Sequence, residues 1–479
     1  MYHRRMKQPK GFGNGGAETA ALALLACLIS GQTGCAKRLA PVPAAYAGAA
    51  ETMRDAGLRE EGAFALLTRI TGVGPRLTGS PEAGAAIELG LKMMNELGFE
   101  NVHAEPVTVT KWVRGEREEA EILGDPPQGD VPLHVCALGG SDGTPAGGVT
   151  APVVEVRSFE ELDRLGPAAR GKIVFFDRPM DRTSTDAFAA YGRAADQRVR
   201  GAVEAARRGA VAALVRSLTF RIDDFPHTGL TTYEPGVARI PAAAVSTADA
   251  ERLSGLLAKG GPVRVRLKMS CRTVGPVPSA NVVGEIVGSE RPHDIVLVGG
   301  HLDSWDLAVG AHDDGAGCAA SLEALRLIRA AGLRPKRTVR AVLFMDEEFG
   351  GTGGRFYAAA AARAGETHLV AMESDRGAFV PVAIAAGAPD GRVLRRLRAW
   401  GALFEPLGLR MFVPGGGGVD VGPLVRNGAV PVAVIPAAQA YFDVHHSALD
   451  VLGSVQPRDL EFQAVAMAVL AYVLAEEGV

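Results

Sequence analysis

Apolar and polar positions change period along the chain and divide it into blocks. An apolar run from Ala20 to Ile29 follows a segment carrying Arg4, Arg5, Lys7 and Lys10, and Gly31-Gln32-Thr33-Gly34-Cys35 closes it. That run is far shorter than the ~20 residues a membrane-spanning helix needs. Residues 36–50 are rich in Ala and Pro and read as a tether. From 51 to 99 the period is helical, in two patterns. The second, over 82–97, aligns Ala85, Ile87, Leu89, Leu91, Met94 and Leu97 on a largely apolar face. A turn-rich loop, 72–81, separates them, and 101–122 alternate like a hairpin pair.

From 124 the texture changes. Short β-branched segments at 149–156, 172–176 and 263–267 alternate with Gly/Pro turns, and one amphipathic helix at 199–208 feeds a strand at 210–215. This predicts a mostly β insert over 124–275, closed by a Pro-rich linker at Gly275-Pro276-Val277-Pro278. Beyond it, strands at 295–298, 338–345 and 368–372 alternate with helices at 315–331 and 352–364. Such alternation predicts an α/β fold, a mostly parallel mixed sheet flanked by helices. The catalytic domain would then be split into 51–123 and 276–479 around the insert.

Composition adds exclusions. Of 479 residues, 47% are hydrophobic and 22% charged, ordinary values for a globular protein. With 51 basic against 54 acidic residues there is no basic excess to mark a nucleic-acid binder. Five Cys are too few for a disulfide scaffold. The three beyond residue 35, Cys136, Cys271 and Cys318, have no paired spacing and are expected to be structural.

A basic segment, an apolar core and a small-residue exit make 1–35 a secretory address. Thr33-Gly34-Cys35 resembles the end of a bacterial lipoprotein signal, with Gln32 where Leu is usual. Either a lipid anchor at Cys35 or plain secretion follows, so the expected location is periplasmic, extracellular or anchored to the outside of a bacterial membrane. Removing 1–34 takes away four basic groups and Glu18, leaving a more acidic chain.

In an open α/β sheet, ligand groups gather in the loops beyond the carboxyl ends of the strands. Those loops carry Gly300-His301-Leu302-Asp303, Ala311-His312-Asp313-Asp314-Gly315, Asp346-Glu347-Glu348, Glu373-Ser374-Asp375 and Phe442-Asp443-Val444-His445-His446-Ser447-Ala448-Leu449-Asp450. Each alone is weak. Asp-Asp-Gly before a helix is an ordinary cap, and His-His pairs are common on surfaces. Together they form a set so acidic that it repels itself at neutral pH unless cations hold it. Two zinc ions bridged by one carboxylate, ~3.5–4 Å apart, would meet that need, clamp a carbonyl oxygen and activate a water between them.

On these residues the sequence resembles the co-catalytic zinc exopeptidases, specifically their carboxypeptidase Q branch. The matching stretches include Gly74-Pro75-Arg76-Leu77-Thr78-Gly79-Ser80, Arg170-Gly171-Lys172-Ile173-Val174, Gly299-Gly300-His301-Leu302-Asp303-Ser304-Trp305-Asp306, Asp313-Asp314-Gly315, Glu347-Glu348, Met372-Glu373-Ser374-Asp375 and His445-His446-Ser447. The resemblance implies two Zn2+ per chain, with His301 and Asp375 on one, Glu348 and His446 on the other, and Asp313 bridging. It implies Asp303 as the partner of His301, Glu347 as the general base for a metal-bridging water, and a cis peptide at Asp313-Asp314. His445 rivals His446 as a ligand. His312 replaces an apolar family residue and is expected to be second to the ligands or solvent-facing; Asp314 and Asp420 would support the site. Asp420 ends a Gly-rich loop, 415–420, with Val419 in place of the usual Thr.

The insert resembles a protease-associated domain. The resemblance further implies a homodimer, a peptide substrate, and hydrolysis of dipeptides or short peptides next to a free terminus. The rivals are an aminopeptidase on longer peptides, a one-zinc amidohydrolase or cyclase, and a catalytically silent, receptor-like binding protein on the same fold. The silent relatives have lost ligands, whereas all five positions are filled here.

Overall fold

A computed structural model describes residues 44–124, 129–387 and 391–479. The expected address at 1–35, with Cys27 and Cys35, lies outside the described residues, as does the first part of the expected tether. The last part of that tether is not a linker. Residues 44–50 open the helix Ala44–Glu60, which buries Tyr46, Ala49 and Ala50. The Tyr46 hydroxyl donates to Glu477 Oε1 at 2.5 Å, so the Ala-rich stretch is fastened to the C-terminal helix.

The described residues form two eight-stranded sheets. The first orders its strands Glu100–Val113, Arg272–Ile286, Arg337–Phe344, Arg291–His301, Thr367–Glu373, Val430–Pro436, Pro381–Ala386 and Met411–Pro414. Its four central strands run parallel, from Arg337–Phe344 to Val430–Pro436. They are covered on both faces, which is why 295–298 reads as an unbroken apolar run rather than an alternation. One face carries Ala316–Ala330 and Pro457–Glu477. The latter is apolar nearly all round and correspondingly buried along its length. Among the described residues no helix is long and apolar enough to cross a membrane.

The second sheet orders Val131–Leu133, Glu118–Ile122, Arg264–Met269, Val149–Val156, Ile173–Phe176, Ala212–Arg216, Ala242–Val245 and Val135–Ala137. Three expectations change here. Residues 101–122 are not a hairpin: Glu100–Val113 pairs with Arg272–Ile286 in the first sheet, while Glu118–Ile122 joins the second. The second unit therefore starts near 118. It is also not mostly β, since it carries four α-helices, Phe159–Leu165, Ala187–Ala194, Asp196–Arg207 and Thr247–Ala258, beside a parallel run of four strands. Finally, Gly275-Pro276-Val277-Pro278 is strand, not linker. Pro276 and Pro278 face Thr110 and Thr108, in the part of their strand that extends beyond its pairing with Arg337–Phe344. A strand paired on one side only tolerates the missing N–H groups.

Behind the first sheet, two fully buried carboxylates meet. Glu323 is ion-paired with Arg326 at 2.6 Å, and Glu461 Oε2 accepts from the Ala63 amide at 2.9 Å. Burial first, then the Glu323 charge, pushes the Glu461 carboxyl up to about 8. Its folded value lies above its unfolded one, so the stability it contributes is full below ~4.5 and is lost as pH rises to about 8. Glu461→Gln keeps the neutral form at every pH. Its melting temperature should match wild type below about pH 4, rise progressively above it toward pH 8, and hold a constant lead beyond; parallel thermal melts across that range check this.

Candidate metal centre

The four central parallel strands end side by side, and each delivers part of one constellation. Arg291–His301 ends on His301 itself. Arg337–Phe344 leads into Asp346-Glu347-Glu348, Thr367–Glu373 into Ser374-Asp375, and Val430–Pro436 into the loop carrying His445 and His446. Asp313 and Asp314 precede the helix Ala316–Ala330 and are joined by a cis peptide.

Asp313 is the centre of the arrangement. Its Oδ1 lies 3.3 Å from His301 Nε2, and its Oδ2 lies 3.2 Å from His446 Nε2. Asp375 Oδ1 approaches His301 Nε2 at 3.7 Å, and Glu348 Oε2 approaches His446 Nε2 at 3.1 Å. Two groups that could hold a cation thus share Asp313: His301 with Asp375, and His446 with His445. His445 Nε2 is farther from Asp313, at 3.7 Å, and its ring stacks on His446 with centroids 3.5 Å apart. His446, which also meets Glu348, is the better placed of the pair.

The donor set fits divalent cations. His301 Nε2, Asp313 Oδ2 and Glu348 Oε1 are buried without a hydrogen-bond partner, a costly state for polar atoms. Burial disfavours a charged His446, but Glu348 and Asp313 outweigh it and carry its pKa up to about 9. Asp313 is held well below the usual carboxylate range because His301 and His446 outweigh its burial. The acids thus find positive charge on imidazoles, and a cation binding there would release those protons.

Several supports were hidden in the sequence. Asp303 was expected to orient His301. Its carbonyl oxygen meets His301 Nδ1 at 3.0 Å and its Oδ1 stands farther off at 3.8 Å, while the carboxylate accepts from the amides of Asp346 at 2.8 Å, Glu347 at 3.3 Å and Glu348 at 3.4 Å. The side chain therefore shapes the Glu347-Glu348 turn. Asp450 accepts from the His312 and Asp313 amides at 2.7 and 3.1 Å and anchors the central Asp. Arg76, fully buried, donates to the carbonyls of Leu302, Val309 and Gly310, tying the His301 loop to the Asp313 loop. Its place in a Gly-Pro-Arg turn was the only local signal.

Asp314 bonds the His301 amide at 3.0 Å and the Gly317 amide at 2.9 Å. Gly300 and Gly317 make room for it, since a Cβ on either would come within 2.5 Å of its carboxylate. His312 is not solvent-facing: it is buried, stacks on Phe379 and accepts from the Ala378 amide at 3.1 Å. Burial lowers its pKa to about 4, so it packs as a neutral ring. Asp420 is buried, and among the described residues its carboxylate has no hydrogen-bond partner. The Gly-rich loop is instead supported by Glu373, which accepts from the Val421 amide at 2.8 Å and fills the space a Cβ on Gly418 would need.

A cleft of about 340 Å³ opens over this centre. Asp313, Glu347, Glu348, Asp375 and His446 line its floor, with Val419, Tyr441 and Phe442 beside them. The second unit supplies Phe188, Tyr191, Arg198 and Leu230. Arg198 is buried: its Nη1 donates to the Thr228 carbonyl at 3.4 Å and stands 3.4 Å from His446 Nδ1, its Nε is unpartnered, and no carboxylate pairs with it among the described residues.

An α/β sheet that gathers imidazoles around a shared carboxylate at its strand ends, under a small cleft, is the layout of a metallopeptidase. The model of peptidase family M28 matches residues 281–473. Carboxypeptidase Q of Bos taurus is 39% identical over 408 residues, covering 84% of this chain and 83% of that one. The crystal structure of a peptidase M28 precursor from Shewanella amazonensis has a TM-score of 0.86 and 35% identity, covering 91% of this chain and 98% of its own. A zinc aminopeptidase from Bacillus subtilis shares the fold, with a TM-score of 0.63 and 19% identity over 87% of this chain and 96% of its own. The chain belongs to peptidase family M28.

The geometry of Asp303 separates its two candidate roles. In Asp303→Asn the carbonyl that meets His301 remains, while one acceptor oxygen for the 346–348 amides is lost. Divalent-metal content should stay at the wild-type level and kcat should fall by about tenfold or more. Metal analysis beside steady-state kinetics decides; loss of metal would return the side chain to His301.

Proposed function

We propose that this protein is an exported exopeptidase that holds two zinc ions and hydrolyses dipeptides or short peptides next to a free terminus. The observation that carries the reading is Asp313, with one oxygen toward His301 and the other toward His446. His301 and Asp375 would hold one ion, Glu348 and His446 the other, and Asp313 both. When bound, the ions supply Lewis acidity to the scissile carbonyl and lower the pKa of water into the neutral range.

The chain's own groups do the rest. Glu347, at the cleft floor, takes a proton from the attacking water as its oxygen bonds to the carbonyl carbon. As the carbon–nitrogen bond breaks, Glu347 returns that proton to the leaving amine. Asp303 fixes the turn from which Glu347 projects, and the Tyr441 hydroxyl steadies Asp375 from 3.3 Å. Phe188, Tyr191 and Phe442 pack into an apolar wall that keeps bulk water from the reacting bond.

The cleft is near the small end of ligand-pocket sizes, ~300–1,000 Å³, which favours short substrates over long chains. Arg198 favours a peptide whose free carboxylate lies within the cleft, since a buried guanidinium without an acid is a ready partner for one. That distinguishes this reading from an aminopeptidase on longer peptides. A silent binding protein is disfavoured because every ligand position and Glu347 are present. The second unit is read as a protease-associated domain, and the address at 1–35 as the export signal, with Cys35 its candidate lipid site. A homodimer follows from the resemblance.

The experiment joins zinc stoichiometry to a dipeptide panel. Wild type should carry two zinc ions per chain, lose activity to a chelator and regain it with zinc. Glu347→Ala should keep both ions while kcat drops by about 10²–10⁴-fold. Amidating the C-terminus of a dipeptide should raise KM more than acetylating its N-terminus, and Arg198→Leu should erase that difference. Wild-type activity in Glu347→Ala would sink the mechanism, and the opposite blocking pattern would favour an aminopeptidase.

A further inference from the structure

The two metal positions are oriented by different parts of the chain. His301 Nδ1 rests on the carbonyl of Asp303, two residues away on the same loop. Asp375 is met by Tyr441, also of the first sheet's own loops. The other pair depends on the second unit. His446 Nδ1 faces the Thr228 carbonyl at 3.2 Å, the Thr228 amide donates back to the His446 carbonyl at 2.9 Å, and Arg198 Nη1 of the same unit donates to the Thr228 carbonyl at 3.4 Å and stands 3.4 Å from His446 Nδ1. The neighbouring His227 Nδ1 donates to the His445 carbonyl at 2.6 Å. Glu348 Oε2 accepts from Trp305 Nε1 at 2.5 Å, and the Trp305 ring is buried in the second unit's core with Trp112, Leu133 and Leu267. Gly139 of that unit allows this, since a Cβ there would come within 2.0 Å of the indole.

Residues 227–229 are themselves held firmly. The His227 amide donates to Ser217 Oγ at 2.8 Å, Thr228 Oγ1 donates to the Ala137 carbonyl at 2.8 Å, and the Gly139 amide donates to the Gly229 carbonyl at 2.9 Å. The loop they grip needs gripping: His446 has φ +60°, in the left-handed region that is unfavourable for a non-glycine residue.

Resting on the two-zinc reading above, we propose that the second unit is a structural half of the Glu348–His446 metal position, with His227 as its positioning residue and the Thr228 carbonyl setting the imidazole. The His301–Asp375 position meets that unit less directly, through Phe188, which stacks on Tyr441 and lies beneath the Arg376 guanidinium. A carbonyl accepting from Nδ1–H leaves the Nε2 lone pair for the metal and fixes the ring's direction. His227 acts one step back, holding the carbonyl of His445 so that the strained residue after it stays aimed at Asp313 and Glu348.

The test is zinc affinity, read by competition with a chromophoric chelator on the full chain. His227→Phe keeps the bulk and removes the donor; His227→Asn restores a donor near the position of Nδ1. In His227→Phe one zinc per chain should bind about 10–100-fold more weakly, while the other keeps its wild-type affinity and so reports an intact fold. His227→Asn should recover most of the lost affinity. Equal loosening of both ions, unchanged binding of both, or failure of Asn to restore would overturn the proposal. Fewer than two zinc ions in wild type would instead overturn the parent reading.

Discussion

Everything in the catalytic half depends on keeping Asp313 buried between two imidazoles with its carboxylate otherwise bare. A buried carboxylate is tolerable only when positive charge faces it. His301 and His446 supply that charge from opposite sides, each within 3.3 Å. The scaffold is arranged to hold this one oxygen pair still. Asp450 takes the amides of His312 and Asp313, and Asp314 takes those of His301 and Gly317. Arg76 bridges the two loops by donating to their carbonyls. Glycines at 300 and 317 appear where a side chain would displace a carboxylate.

This design also explains why the parallel sheet matters. Four adjacent strands point their carboxyl ends the same way, so residues more than a hundred positions apart arrive at one rim. The first sheet places His301, Asp313 and Glu347 through its own loops, and Asp375 beside a Tyr441 that stacks on Phe188 of the second unit. It does not hold the His446 loop in its left-handed turn or seat Trp305 against Glu348. Those duties fall to the second unit, which also walls the cleft with Phe188, Tyr191 and Arg198.

What could be read from sequence follows from how local each signal is. The strand ending at His301 was legible because its burial on both faces leaves an unbroken apolar run before a His-x-Asp. The helix near 352–364 was legible from its place between two strands, whereas Ser80-Pro81 was read as loop although it opens the helix Pro81–Glu96, with Ser80 Oγ accepting from the Ala83 amide. The linker at 275–278 was misread because Gly and Pro normally break strands; only the neighbour Glu100–Val113, far away in sequence, makes it one. The hairpin at 101–122 failed for the mirror reason: both halves are strands, but their partners lie in different sheets. Alternation reveals that a segment is extended and nothing about what it pairs with.

The same limit governs the site. The atoms that would touch metal or substrate stood out, because His, Asp and Glu at strand ends are conspicuous. The atoms that aim them did not, since most are backbone groups and carry no signature in residue type. Asp303 shows the difference within one residue: its carbonyl meets His301 while its carboxylate gathers three amides from another loop. Thr228 shows it across the whole chain, because its carbonyl reaches a histidine 218 residues away. Any residue can present a carbonyl, so no residue type at 228 could have announced that contact. What the sequence does preserve is indirect: a glycine at 139 that admits Trp305, and a buried His227 whose ring is spent on a backbone oxygen rather than on solvent. Small residues and buried histidines outside the obvious cluster are therefore where the orientation of such a centre leaves its trace.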